Sequence, residues 1–129
     1  MIPGTARGPA LVAREPLSFW GGYDAATGEI IDRSHPLSGQ RAVGCILVIP
    51  ETRGSSTTTA VLLEAIRRGT APAGFVTRGV DSFLALAAVV AEELYGHAPP
   101  VIALDEVAFD GIEDGVLLTL DPTGRVTGG

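Results

Sequence analysis

Hydrophobic and polar residues alternate in blocks along the chain, and the length of each block predicts the element that it forms. Apolar runs at 42–50, 73–77 and 101–105 have the length of strands buried on both faces. Between them, 56–68 places its apolar residues on one helical face, and 81–96 is long enough for a second helix. Strand and helix in alternation predict right-handed crossovers onto a parallel sheet.

Residues at the ends of the two helices support these boundaries. Gly69 is well placed to end the first helix, and either Asp81 or Ser82 can cap the start of the second. Gly96 and the prolines at 99–100 end that helix, because proline cannot continue it.

The flanking segments carry a different pattern. Residues 9–15 read as a short strand, and 16–39 predict a long ordered loop rich in Gly, Pro, Ser and Asp, with a turn at 24–28 and an extended piece at 29–31. Near the end, 115–127 predicts two strands joined by a β-turn, so the fold class is α/β with added antiparallel strands.

Length and hydropathy limit the class of protein. A chain of 129 residues predicts one domain, 1–129, and 46% hydrophobic residues exclude a mainly disordered chain. The longest apolar run, 83–91, is far shorter than the roughly 20 residues of a membrane span. With no signal-like start either, the chain is expected to be soluble and cytoplasmic, without a membrane partner.

Charge and cysteine content exclude further classes. The net charge is -6 and the nine arginines form no basic stripe, so nucleic acid is not an expected partner. The acidic residues between Asp105 and Asp114 are expected to form a solvated loop. Cys45 is the single cysteine, so no metal site is predicted on this chain and any metal must be held mainly by another chain.

Five consecutive hydroxyl residues, Ser55 to Thr59, follow Gly54 where a buried strand ends and a helix begins. Unpaired N–H groups at such a helix start bind carboxylate or phosphate, and Arg53 could add a bidentate guanidinium. The segment is not a P-loop, since the lysine and the glycine spacing are missing. The alternative is ordinary helix capping, for which Ser and Thr are favoured.

Other candidate residues also have two interpretations. Trp20 in "SFWGG" either fills the core or belongs to a site or interface. His35 is either a surface residue or a base, and His97 is expected to interact with a helix C-terminus.

Taken together, three segments carry a family resemblance: "EPLSFWGGYDAATGEIIDRSHPLSG", "GCILVIPETRGSSTTTAVLLEAIRRGTAPAGFV" and "ALAAVVAEELYG". In this order they closely resemble the small subunit, or swivel domain, of the aconitase X family of dehydratases. The resemblance runs from about residue 8 to 127. It implies a swivelling β/β/α domain and a hydro-lyase subunit that is inactive without its large subunit.

The resemblance also implies roles for particular residues. Ser55 matches the serine that, as an alkoxide, removes the substrate α-proton in the wider superfamily. Thr57 stands where the superfamily turn has arginine, so the substrate carboxylate is expected to bind to Arg53 or to the large subunit. The other residues expected to bind substrate are Gly54, Ser56 and Thr57. A possible site or interface loop comprises Ser18, Phe19, Trp20, Gly21, Gly22 and His35, with the apolar Phe19 and Trp20 facing a partner.

Partners and cofactor follow from the same resemblance. The large aconitase X subunit is the expected partner and carries an iron or iron–sulfur centre, and the chain itself holds no cofactor. The expected substrate is a small hydroxy acid: cis-3-hydroxy-L-proline is favoured, with mevalonate 5-phosphate as the alternative. A hypothesis of another class is a non-catalytic module that binds an anion or serves as a scaffold.

Overall fold

The computed structural model describes residues 4–53 and 56–128, without the side chains of Ser56 and Thr57. The described elements, in chain order, are β1 (Ala6–Val12), β2 (Leu17–Ser18), β3 (Ile46–Ile49), β4 (Thr52–Arg53), α1 (Ser56–Arg68), β5 (Gly74–Arg78), α2 (Ser82–Tyr95), β6 (Val101–Leu104), α3 (Glu106–Asp110), β7 (Leu117–Leu120) and β8 (Val126–Gly128).

The main sheet has the strand order β6-β5-β3-β1-β7-β8. The first four strands in that order are parallel, whereas β7 and β8 are antiparallel to their neighbours. The two crossovers, β3-α1-β5 and β5-α2-β6, are those that the alternation of blocks predicts. The α/β fold with added antiparallel strands is therefore confirmed.

One face of the sheet packs against α1, α2 and the loop at 13–45, and we call it the helical face. From β3 it receives Leu47 and Ile49, because alternate side chains point to opposite sides of a strand. Leu62 of α1 and Leu84 of α2 are buried against them.

The opposite face is covered by α3 and includes the apolar side chains of β7 and β8 that join the same cluster, and we call it the hairpin face. Ile46 and Val48 point to this side and meet Leu118 and Leu120 of the hairpin. Phe109 of α3 is fully buried here, and the guanidinium carbon of Arg14 lies 5.5 Å from its ring centroid. One aromatic side chain thus anchors the short helix to the sheet.

The helix boundaries agree closely with the prediction. Helix α1 spans the predicted residues, and Gly69 follows it with a φ of 77°. Of the two possible caps of α2, Asp81 is the one used: its carboxylate accepts a hydrogen bond from the Leu84 N–H at 3.0 Å. Gly96 ends α2 in the left-handed conformation, with a φ of 76°.

The acidic stretch between Asp105 and Asp114 was predicted wrongly as a solvated loop. Its first half is α3, capped by the Asp105 carboxylate, which accepts from the Ala108 N–H at 2.8 Å. The helix forms because Phe109 is buried, although the acidic residues around it face water. A single apolar anchor in five residues produces no helical periodicity in the sequence.

Two strands differ in extent from the prediction. The first strand begins three residues earlier than predicted, at Ala6, where it pairs with Leu120. The strand predicted at 42–50 is shorter, Ile46–Ile49, because Gly44 has a φ of 76° and the chain turns before it. The β-turn between β7 and β8 is confirmed: the Gly124 N–H donates to the Asp121 carbonyl at 3.0 Å.

Candidate functional site

A two-stranded parallel sheet lies beyond the carboxyl end of the main sheet. It pairs β2 with β4, and its register places Ser18 beside Arg53. Because β4 follows the buried strand β3 after two residues, this small sheet continues the chain from the main sheet to the start of α1. Ligands usually bind at this edge of α/β sheets.

The small sheet forms one wall of a polar cleft of about 220 Å³. Three predicted residues from separate segments, Ser18, His35 and Arg53, line it together. The remaining lining residues are Glu15, Pro16, Asp32 and Ser34. The structure thus brings together side chains that the sequence analysis proposed one by one.

Arg53 is anchored through its backbone while its side chain is exposed. The buried Thr58 hydroxyl donates to the Arg53 carbonyl at 3.2 Å, which ties β4 to the first turn of α1. Among the described residues, the ion pairs are those of Arg14, Arg67 and Arg68, so none involves Arg53. Arg53 lines the cleft and is exposed, so its guanidinium is accessible to a ligand there.

Asp81 fixes the neighbouring residue of β4. Its Oδ2 accepts hydrogen bonds from the Thr52 N–H at 2.6 Å and from the Thr52 hydroxyl at 2.7 Å. The same buried carboxylate caps α2, so one side chain connects α2 to the strand that carries Arg53. Sequence reasoning identified Asp81 as a cap but missed this second role, because the pairing of β2 with β4 leaves no local signal.

His35 is a buried structural residue at the edge of the cleft. Its Nδ1 accepts from the Leu37 N–H at 3.1 Å, which places the ring proton on Nε2, 3.3 Å from the Glu15 carbonyl. Both ring nitrogens are thus engaged with the backbone. This geometry favours a role in holding the loop against the cleft over a role as a base.

Asp32 contributes a fixed negative charge to the cleft. Its Oδ1 accepts from the Ser34 hydroxyl at 2.7 Å and from the Ser34 N–H at 3.0 Å. The hydrogen bond from the Ser34 side chain, followed by that from its backbone, lowers the pKa of the Asp32 carboxyl. Neither residue was among the sequence candidates, although Asp followed two positions later by Ser is a known turn signal.

The "SFWGG" segment is shaped by its two glycines. Gly21 has a φ of 75°, and a Cβ on Gly22 would lie 2.2 Å from the Ser18 carbonyl oxygen. Only glycine therefore lets the chain fold back against Ser18. The segment's sequence is explained by this close approach beside the cleft.

The two aromatic residues of the segment have opposite surroundings. Phe19 is fully buried, with its ring centroid 4.9 Å from that of Tyr23 and 6.2 Å from that of Phe75. The expectation that Phe19 faces a partner was wrong, because it fills the core. Trp20 is 67% exposed, so the alternative in which Trp20 fills the core was also wrong.

The predicted base, Ser55, and its neighbours lie at or beyond the ends of the described ranges. Gly54 and Ser55 are outside the described residues, and Ser56 and Thr57 are described only as backbone of α1. Their roles stay predictions. The flanking residues are well anchored, however, since Arg53 and Thr58 are joined by the hydrogen bond given above.

His97 lies apart from the cleft, at a pocket that it shares with Pro99 and Pro100. Cys45 is half-buried, and burial raises the pKa of its thiol.

In residues 4–53 and 56–128, no group of three or more His, Cys, Asp or Glu side chains is arranged to hold a metal ion. In the same ranges, no helix is both long and apolar enough to cross a membrane.

Comparison with known proteins assigns the fold to a family. The model of a family described as the aconitase X swivel domain matches residues 1–128. A crystal structure of Thermococcus kodakaraensis aconitase X in its holo-form superposes with a TM-score of 0.87 at 27% identity, covering 99% of this chain and 92% of that one.

Two named relatives point to different substrates. A cis-3-hydroxy-L-proline dehydratase of Pseudomonas aeruginosa is 50% identical over 82% of this chain, which spans only 18% of that longer protein. A phosphomevalonate dehydratase small subunit of Methanopyrus kandleri is 39% identical, and the match covers 90% of this chain and 82% of the relative.

Proposed function

Because the chain belongs to the aconitase X swivel domain family, we propose that it is the small subunit of an aconitase X type hydro-lyase that dehydrates a hydroxy acid. The observation that carries this proposal is the position of Arg53, with Ser18, on one cleft beside the start of α1. The segment with the proposed base joins β4 to that helix. A cleft with a cationic side chain next to a helix N-terminus suits a carboxylate substrate.

In this proposal Ser55 is the general base. As an alkoxide it takes the proton from the substrate carbon next to the carboxylate and becomes a neutral hydroxyl. The electron pair of the C–H bond forms the new C=C bond, and the hydroxyl on the adjacent carbon departs as hydroxide, which leaves as water after it gains a proton. A serine is too weak an acid to ionise unaided, so the alkoxide needs nearby positive charge. The N-terminus of α1 supplies partial positive charge there, and it also favours the developing charge on the substrate.

Arg53 binds the substrate carboxylate in this proposal, together with Gly54, Ser56 and Thr57. Its backbone is held by Thr58 on one side, and the neighbouring Thr52 is held by Asp81 on the other. A guanidinium on a fixed backbone can present two parallel N–H groups to a carboxylate. In this proposal Trp20, which is exposed and two residues after Ser18, contacts the partner near the mouth of the cleft.

The partner in this proposal is the large aconitase X subunit, and the swivel domain comprises residues 1–129 of a cytoplasmic enzyme. The iron or iron–sulfur centre implied by the family resemblance belongs to that partner, where it would act as a Lewis acid on the substrate hydroxyl. The described residues of this chain offer no set of donors for it. The roles that remain for this chain are proton removal and binding of the carboxylate.

For the substrate we propose cis-3-hydroxy-L-proline. The 50% identity to a protein of that name supports this choice over the 39% identity to a phosphomevalonate dehydratase small subunit. Mevalonate 5-phosphate is the second candidate, and matches that cover most of both chains support it.

The test reconstitutes the chain with the large aconitase X subunit encoded in the same genome and assays dehydration of cis-3-hydroxy-L-proline and of mevalonate 5-phosphate. We expect turnover of the first compound only by the reconstituted pair. Ser55→Ala should lower kcat by about a hundredfold to ten-thousandfold, the usual contribution of a general base. The matched control is Ser38→Ala, the same change at an exposed loop residue outside the cleft lining.

Each result has a distinct meaning. Wild-type kcat in the Ser55→Ala pair would show that the base assignment is wrong. Turnover of mevalonate 5-phosphate alone would replace the substrate assignment and leave the enzyme class intact. Tight binding of a phosphorylated ligand by this chain, with no turnover of either compound in the pair, would favour the non-catalytic anion-binding module.

A further inference from the structure

The solvent side of α2 carries a mostly apolar strip, with exposed polar residues at Ser82, Glu92 and Glu93. Exposed or half-exposed apolar side chains form this strip, which we call the outer face of α2: Phe83, Leu86, Val89, Val90 and Leu94. The steps from Phe83 through Leu86 to Val89, and from Leu86 through Val90 to Leu94, are three or four positions. Leu86 is 51% exposed and Leu94 is 63% exposed. Residues at this spacing lie on one side of a helix, so they form a continuous apolar strip.

The core does not require this strip. The inward side of α2 is formed by the buried residues Leu84, Ala87, Ala88 and Ala91. A surface helix ordinarily has polar residues opposite its buried side, and a helix that is apolar all round is normally covered on both sides. The outer face of α2 is therefore left without the cover that its composition requires.

The charges on α2 indicate the chemistry of the missing cover. Glu92 and Glu93 are exposed in the last turn, and α2 has no basic residue there. Acidic groups at a helix C-terminus oppose the helix dipole. No ion pair within the described residues involves either carboxylate. A partner with a basic side chain beside an apolar surface would neutralise them.

The strip also begins next to the cleft. Val80, which precedes the cap of α2, is 75% exposed. The following residue, Asp81, is hydrogen-bonded to Thr52, the neighbour of Arg53. A partner protein that completes the active site at the cleft would therefore also contact the start of the outer face of α2.

We propose that the outer face of α2 docks onto an apolar surface of the large aconitase X subunit, with Lys or Arg of that subunit near Glu92 and Glu93. This inference rests on the proposed function and assigns the partner a surface. A second copy of this chain fits less well, because the same face would offer carboxylates and no base to neutralise them. The larger relatives, of which this chain spans 18%, support an arrangement in which the domain works beside a larger body.

The test places a charge in the strip and measures binding to the large subunit. Leu86→Glu should weaken the complex about tenfold to a hundredfold, because a leucine buried at an interface contributes about that much to the affinity. In addition, docking would have to remove the new carboxylate from water. Val107→Glu is the matched control: Val107 is 85% exposed on α3, on the hairpin face. Circular dichroism should show that both variants keep the wild-type fold, since both positions are exposed and glutamate is a good helix former.

A second variant addresses the charges. Glu92→Gln combined with Glu93→Gln should weaken the complex and reduce its dependence on salt, because two carboxylates no longer meet the basic groups. The same variant should melt at the wild-type temperature or slightly above it, since the helix dipole is no longer opposed.

The outcomes separate the surface from the function. If Leu86→Glu binds the large subunit like wild type and the pair turns over substrate, the surface assignment is overturned and the proposed function stands. If wild-type chain and large subunit do not associate, both are overturned. If Leu86→Glu abolishes only self-association of this chain, the occupant is a second copy and the proposal is wrong.

Discussion

The two faces of the sheet contain corresponding residues, a buried phenylalanine and a helix-capping aspartate, but these residues differ in how they are linked to the cleft. Each face has a fully buried phenylalanine, Phe19 on the helical face and Phe109 on the hairpin face. Each also has an aspartate that caps a helix, Asp81 for α2 and Asp105 for α3. The difference is that the parts on the helical face are connected to Ser18 and Arg53 of the cleft lining.

These connections are short. Phe19 follows Ser18, which lines the cleft, and Asp81 is hydrogen-bonded to Thr52, the neighbour of Arg53. On the hairpin face, Asp105 caps α3 and Phe109 holds α3 to the sheet. The link from Phe109 to the cleft runs through Arg14, which lies over the Phe109 ring and precedes the lining residue Glu15, and it includes neither Ser18 nor Arg53. Damage to the helical face should therefore affect stability and activity together, whereas damage to the hairpin face should affect mainly stability.

The largest expected effect comes from the two phenylalanines. Phe19→Ala and Phe109→Ala should each lower the free energy of unfolding by about 3–5 kcal/mol, the usual cost of truncating a buried phenylalanine. Among molecules that remain folded, Phe19→Ala should also lower kcat/KM, because Ser18 and Trp20 lose their anchor. Phe109→Ala should lower kcat/KM much less, because Ser18 and Arg53 keep their positions. Urea unfolding and assays of the reconstituted pair below the unfolding midpoint measure the two quantities.

Milder variants guard against complete unfolding. Phe19→Leu and Phe109→Leu keep most of the apolar volume and should lose much less stability. If Phe19→Leu and Phe109→Leu had the same kcat/KM as each other, the connection between Phe19 and the cleft would be contradicted.

The same comparison explains which parts of the fold could be predicted. Helix α1 and its sheet neighbours follow from local periodicity, since Val61, Leu62, Ala65 and Ile66 mark one helical face within six residues. Helix α3 could not be found in this way, because Phe109 is its one buried residue. The signal that existed was Asp105 as a cap followed by Gly111 at the helix end.

Three of the seven residues that line the cleft were candidates in the sequence, but their grouping into one cleft was not predicted. Arg53 and His35 were candidates from the residue pattern and Ser18 from the family resemblance, and the structure places all three around one cleft. The interactions that hold them, such as Thr52 to Asp81 and His35 to the Glu15 carbonyl, join residues far apart in the chain. No periodicity records such pairs, so the burial of His35 and the roles of Thr52 and Asp81 could not be read from the sequence.

The two helix caps should give an intermediate effect. Asp81→Ala leaves three donors without their acceptor, the N–H and hydroxyl of Thr52 and the N–H of Leu84. Since an unsatisfied buried donor costs about 1–3 kcal/mol, we expect a loss of about 2–4 kcal/mol in the free energy of unfolding and a higher KM. Asp105→Ala removes an exposed cap with one hydrogen bond and should cost about 1 kcal/mol with KM unchanged.

Thermal unfolding and substrate titration of both variants test this pair. Asp81→Asn keeps one acceptor oxygen and should fall between the wild type and Asp81→Ala in stability. An unchanged KM in Asp81→Ala, measured on folded protein, would mean that Thr52 does not position Arg53.

The smallest expected effect is the response to pH of two carboxylates, Asp32 near the cleft and Asp121 in the turn between β7 and β8. Hydrogen bonds from Ser34 lower the pKa of Asp32, and hydrogen bonds from Thr123 and then Arg125 lower the pKa of Asp121. A lowered pKa in the folded chain means that the ionised form is favoured by folding. Each carboxylate therefore contributes stability above its unfolded pKa, near the ordinary value of 3.8, and loses that contribution as the pH falls through the folded pKa.

Carboxyl chemical shifts followed by NMR during an acid titration should show both groups titrating below 3.8. The two sites should then differ in what protonation changes. Protonated Asp32 weakens its hydrogen bonds to Ser34, so amide shifts of the loop around His35 at the cleft should move with the same midpoint. Protonated Asp121 should move only the amides of the turn between β7 and β8. If the amide shifts of the loop around His35 followed the protonation of Asp121, or did not follow that of Asp32, the separation of the two faces would be contradicted.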